Sequence, residues 1–111
     1  MAESQNEISF SYNWNNKLQC HRFTTIRAAN PAKYKIGNVY DIKYKDQCFQ
    51  AQIIDIRTIS LDQINEFIGG VDTGYSAEEA KTILRRMYKD KADSMKFMFM
   101  LLRRVHEQQQ T

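Results

Sequence analysis

The sequence predicts an α+β fold: a small, partly open β-barrel of about five to six strands with two or three helices packed against it. Three observations carry this. Strand-like segments outnumber helix-like ones, in the order β, β, loop, β, β, α, α, β. The segment "CFQAQIIDIR" (48–57) switches its apolar parity, from Phe49, Ala51 and Ile53 to Ile54 and Ile56, which suggests a bulge or a barrel corner. The closing segment "MKFMFMLLRRV" (95–105) is apolar on both faces, which suits a central strand covered on both sides.

The elements follow in order. "ISFSY" alternates and places Ile8, Phe10 and Tyr12 on one face of a first strand. "NWNNKLQ" is a turn or short helix, and "CHRFTTIR", rich in β-branched and aromatic residues, is a second strand. "AANPAKYKIGN" is a loop, with Pro31 opposing regular pairing and Gly37 suited to the turn before "VYDIKY". After the short turn "KDQ" comes the parity-switching strand. "SLDQINEFI" opens on a capping-box pattern, Ser60 with Gln63, and its stripe of Leu61, Ile64, Phe67 and Ile68 predicts a helix ended by Gly69 and Gly70. "SAEEAKTILRRMYKD" repeats the signal with Ser76 and Glu79, and Ala80, Ile83, Leu84, Met87 and Tyr88 form its apolar stripe. The polar ends, 1–7 and 106–111, are expected to fray.

With 111 residues the chain has the size of one domain, with a core over about residues 8–105. Its net charge of +3 permits an anionic partner without requiring one. Cys20 and Cys48 are too few for a disulfide scaffold, and neither a signal peptide nor a membrane span is visible. The expectation is a reduced, cytoplasmic protein with no membrane partner. His21 and His106 are the only histidines, and no closely paired ligands suggest zinc, so neither metal nor cofactor is expected. Cys20 and His21 are neighbours on a strand, so they point to opposite faces and cannot form a thiol–imidazole dyad. Gly37, Gly69, Gly70 and Gly74 make no phosphate-loop pattern. Tyr34, Lys35, Tyr40, Lys43, Tyr44 and Lys45 interleave aromatics with cations as single-strand binders do, although half-exposed hairpins carry the same mixture. Arg85, Arg86, Arg103 and Arg104 read as solvated.

The informative stretch is "RFTTIR" (22–27). Strand parity puts Phe23, Thr25 and Arg27 on one face and Arg22, Thr24 and Ile26 on the other, so neither face is cleanly apolar. An ion pair from Arg27 to Asp41 or Asp55 would explain its charge without any ligand.

Taken with "KYKIGNVYDI", "AQIIDIRTISLDQI", "GYSAEEAKTILRRMY" and "FMFMLLRRV", this stretch resembles the ASCH family of the PUA-like superfamily, notably small single-domain bacterial members, over roughly Ile8 to Val105. The resemblance implies a barrel with a lateral cleft for RNA, nucleotides or modified nucleosides. One bacterial branch hydrolyses acetylated cytidine with a Lys-x-x-Thr-x-Arg pattern on the second strand and a glutamate before the second helix. Here the threonine falls on Thr25 and the arginine on Arg27. The lysine position is Arg22, and the glutamate position lies near Thr73 with Asp72 beside it.

Arginine stays protonated, so Arg22 cannot act as the amine base. The expectation is therefore binding of RNA or a nucleoside-like ligand, through Arg22, Thr25, Arg27 and a stacking Tyr40 or Tyr44. The alternative is an amidohydrolase for N4-acetylcytidine-type nucleosides. It would use Thr25 as nucleophile and Asp72 as carboxylate, with Lys17, Lys33 or Lys35 reaching the site from another segment. A third reading is a non-enzymatic interaction protein with a vestigial cleft.

Overall fold

The computed structural model describes residues 5–10 and 13–105. The elements are β1 (Glu7–Phe10), a 3-10 helix (Trp14–Gln19), β2 (Arg22–Ala28), β3 (Val39–Tyr44), β4 (Gln47–Ser60), a 3-10 turn (Leu61–Gln63), α1 (Glu66–Thr73), α2 (Ala77–Tyr88), a second 3-10 helix (Lys89–Ser94) and β5 (Lys96–Arg104). Tyr12 and His106 lie outside the described residues.

The strands form one mixed sheet in the order β1-β3-β4-β5-β2. β1 runs parallel to β3, and the other neighbours are antiparallel. The sheet curls into a half-barrel with two flanking helices. β5 sits between β4 and β2, as its two apolar faces require. Met98, Met100 and Leu102 turn into the barrel, where they meet Ile8, Phe23, Tyr40 and Ile53. Phe97 turns outward and packs with Ile26, Ile59, Ala80 and Leu84 beneath the helices. The parity switch in β4 is a register shift between Ile53 and Asp55. It lets one strand of 14 residues serve the inner layer through Ile53 and the outer layer through Ile59.

The helical region departs from the expectation at one place. The Ser60–Gln63 signal holds, with the Ser60 N–H donating to Gln63 Oε1 at 2.8 Å, but it opens only a 3-10 turn. The helix proper starts after Asn65, whose side-chain oxygen accepts the Ile68 N–H at 2.9 Å. Gly69 and Gly70 therefore lie inside α1, which ends at Gly74 in the left-handed conformation (φ 80°). With the frame reset, Phe67 is 71 % exposed rather than in the core. At α2 both capping-box bonds form, Glu79 N–H to Ser76 Oγ at 3.2 Å and Ser76 N–H to Glu79 Oε1 at 3.1 Å.

Among the described residues, no helix is long and apolar enough to cross a membrane.

Candidate functional site at the sheet seam

β1 and β2 are the two edges of the sheet, and the curl brings them within reach of each other. Arg27 spans the gap. Its Nη2 donates to the Ser9 backbone oxygen at 2.7 Å, and its guanidinium lies 4.7 Å from the centre of the Phe10 ring. The carboxylates considered as partners for Arg27 make other contacts: Asp41 accepts from Gln50 at 3.2 Å, and Asp55 meets Arg57 at 3.7 Å. The odd charge in "RFTTIR" is thus a clasp across the open side of the barrel. The same guanidinium also donates from Nε to Thr25 Oγ1 at 3.2 Å.

A pocket of about 100 Å³ opens at this seam. Its polar wall holds Lys17, Thr25, Arg27 and Asp72, and α2 contributes an apolar wall that includes Ile83, Leu84 and Met87, with Tyr88 beside them. The polar wall is assembled from three segments. Lys17 comes from the 3-10 helix after β1, Thr25 and Arg27 from β2, and Asp72 from the last turn of α1. Lys17 is 6 % exposed, and its Nζ lies 2.8 Å from Asp72 Oδ1. The same oxygen accepts the Thr24 hydroxyl at 2.8 Å. Burial pulls the Lys17 ammonium below its ordinary value of 10.5. Asp72 opposes that shift through its charge and hydrogen bond, and the positive charge of Arg27 adds to it.

A buried pair of this kind is a poor source of net stability, because desolvating both ions offsets their attraction. Its place in the wall of a cleft, where burial lowers the proton affinity of the lysine, makes this pocket a candidate site. A larger depression of about 550 Å³ lies between α1 and the outer sheet face, lined by Ile59, Phe67, Ile68, Val71 and Phe99. Thr24, Asp55, Arg57, Gln63 and Asn65 also line it, but its charged pair, Asp55 and Arg57, is exposed, so the smaller pocket with its buried ion pair is the functional candidate.

The structure brings Thr25, Arg27 and Asp72 together but leaves three other candidates outside this pocket. Arg22 is exposed, opposite Arg103 in the β2–β5 register. Tyr40 is 2 % exposed; its hydroxyl donates to the Lys33 oxygen at 2.5 Å and accepts the Lys35 N–H at 3.0 Å, so it anchors the loop ahead of β3. Tyr44 is half-buried against the inner core, with Lys45 Nζ 5.3 Å from its ring centre. Of the three lysines considered as amines for the site, Lys17 lines the pocket. Lys33 is buried near the Tyr34 ring and Lys35 is exposed. Thr73 lines the pocket, while its hydroxyl donates to the Gly69 oxygen at 2.8 Å. Arg104, expected in solvent, instead lies 3.7 Å from the Phe49 ring centre and donates to the Leu18 oxygen at 2.6 Å, holding the Lys17 segment in place. Thr24 was not foreseen as a site residue. The available signal was its place beside Thr25 on a strand buried on both faces.

Among the described residues there is no cluster of three or more histidine, cysteine or acidic side chains that could hold a metal ion. No family model and no curated protein matches the chain. A solved structure does: the crystal structure of hypothetical protein PH0355, at 13 % identity and a TM-score of 0.64, covering 89 % of this chain and 97 % of that one. A likeness at this identity establishes a shared fold.

Proposed function

We propose that this chain is an ASCH-type, PUA-like domain whose seam pocket takes a nucleoside-like amide of the N4-acetylcytidine kind and hydrolyses it. The observation that carries this reading is the buried Lys17–Asp72 pair in one wall with Thr25. It supplies the amine that Arg22 cannot, from a different segment of chain. At about 100 Å³ the pocket admits only a small group such as the acyl amide, so the rest of a nucleoside would lie along the open seam.

The chemistry follows from the groups present. Arg27 Nε donates to Thr25 Oγ1, which stabilises negative charge on that oxygen and leaves its proton free to depart. The deprotonated form of Lys17, which burial favours, takes the proton as Oγ1 bonds to the acyl carbon, and the carbonyl π pair moves onto oxygen. Collapse breaks the C–N bond, and the departing amine takes the proton from the Lys17 ammonium. Water then cleaves the acyl–Thr25 ester, again with Lys17 as base, releasing the carboxylic acid and restoring the hydroxyl. Asp72 holds Lys17 in position and balances its charge while it is protonated.

A second reading, binding of RNA or a nucleoside without turnover, is favoured by Arg22 standing where the hydrolytic branch has lysine. Incubation with N4-acetylcytidine, with cytidine release followed by chromatography, separates the readings. Turnover that is lost in Thr25→Ala supports hydrolysis. Thermal stabilisation by the nucleoside without product supports binding alone. Neither effect would overturn both.

A further inference from the structure

We infer that Thr24 is a positioning residue of this site, holding the Asp72 carboxylate so that Lys17 shares it with a second donor. This rests on the proposed role of Lys17 as the working amine.

Adjacent strand residues face opposite ways, and β2 uses both. Thr25 lies opposite Met100, whose side chain is in the inner layer. Thr24 lies opposite Leu101, on the face that carries Ile26 and the helices. That outer layer is apolar, and a valine would fill the same volume. The buried hydroxyl instead donates to Asp72 Oδ1 at 2.8 Å, the same atom and the same distance as the Lys17 contact. Two donors on one oxygen divide its hydrogen-bonding capacity. With Thr24 bound, the carboxylate stabilises the Lys17 ammonium less than it would alone, and the last turn of α1 is fixed to β2. Among the described residues, the groups facing Lys17 come from four elements. Asp72 reaches it from α1, the Arg27 charge acts on it from β2, and the Phe10 ring of β1 lies 5.6 Å from Nζ. Tyr88 of α2 lines the same pocket. Thr24 touches none of the reacting atoms; it acts through Asp72.

The test needs no substrate. The Lys17 Cε and Nζ resonances are followed against pH by NMR in the parent, Thr24→Val and Thr24→Ser. In Thr24→Val the Lys17 midpoint should rise by up to about one pH unit, the part of one charged hydrogen bond that Asp72 passes on to Lys17. Thr24→Ser should keep the parent midpoint. Should the valine variant fail to fold, Thr24→Ala carries the same comparison. An unchanged midpoint in the variant lacking the hydroxyl, or an equal rise in the serine variant, overturns the inference. Where the parent hydrolyses the nucleoside, the ascending limb of kcat against pH should move with the midpoint, and a limb that stays in place also overturns it. A parent without turnover whose midpoint still moves leaves Thr24 setting the Lys17 charge and removes the hydrolytic reading alone.

Discussion

Replacing Arg27 with methionine should open the barrel along one side. Methionine keeps an unbranched apolar stem against Phe10 but cannot donate to Ser9. The lost bond is a charged hydrogen bond of 2.7 Å, worth about 1.5–3 kcal/mol. The lost contact with the Phe10 ring, at 4.7 Å, adds about 0.5–1 kcal/mol. Together they give about 2–4 kcal/mol, a large part of the ~5–15 kcal/mol that holds a domain folded. At roughly 4 °C per kcal/mol, the melting temperature should fall by about 8–16 °C. The loss should also be local. Hydrogen exchange should accelerate in β1, which keeps its pairing to β3 alone, well before it does in the central pair β4 and β5. A melting temperature within about 3 °C of the parent, with β1 protection unchanged, would refute the clasp. The ordered Arg27 geometry would then contribute nothing to closure.

Two further perturbations test the architecture around the site. A Cβ at Gly69 would sit 3.1 Å from the backbone oxygens of Tyr75 and Ser76, whereas one at Gly70 would meet nothing within 4 Å. Gly69→Ala should therefore destabilise by about 1–3 kcal/mol, and Gly70→Ala, in the same helix, should stabilise by about 0.5–1 kcal/mol. Urea midpoints read both, and matching signs would contradict the close approach of α1 to the start of α2. The charge state of Lys17 should appear in stability. Its folded value lies below the ordinary 10.5, so between the two the unfolded chain binds more protons. Stability from this group then rises with pH across that window and levels off above it. Measured against Lys17→Met/Asp72→Leu, the parent should gain stability as pH climbs from neutral toward 10.5. A relative loss would mean that the Asp72 attraction outweighs burial.

The fold was largely legible because its cues are local. The double-sided apolar run fixes β5 as a central strand, and the parity switch of 48–57 marks the bend of β4. The α1 start was misread because two capping signals lie five residues apart. Ser60–Gln63 is stronger on paper, but the chain uses Asn65 for the longer helix. Half of the candidate pocket's polar wall was legible through strand parity, which places Thr25 beside Arg27. The other half depends on contacts across 48 and 55 residues of chain, Thr24 and Lys17 to Asp72. No periodicity encodes those contacts. Tyrosine suits both a ligand face and a packed strand, and the sequence alone does not show that Tyr40 is buried while Tyr44 is only half-buried.

One position thus has two tasks that cannot be separated. Arg27 holds the Ser9 carbonyl with one nitrogen and the Thr25 hydroxyl with another, so closure of the sheet and placement of the proposed nucleophile share a single side chain. A lysine there could satisfy one partner at a time, since its charge sits on one atom at the end of a flexible stem. The planar fork fixes both at once. The proposed amine, Lys17, lies on a separate segment and does not disturb the seam. The 3-10 helix is tied at Leu18 by Arg104 and at Lys17 by Asp72, and neither tie depends on the Arg27 clasp. Loss of the clasp should therefore displace Thr25 relative to Lys17 rather than dissolve the Lys17–Asp72 pair.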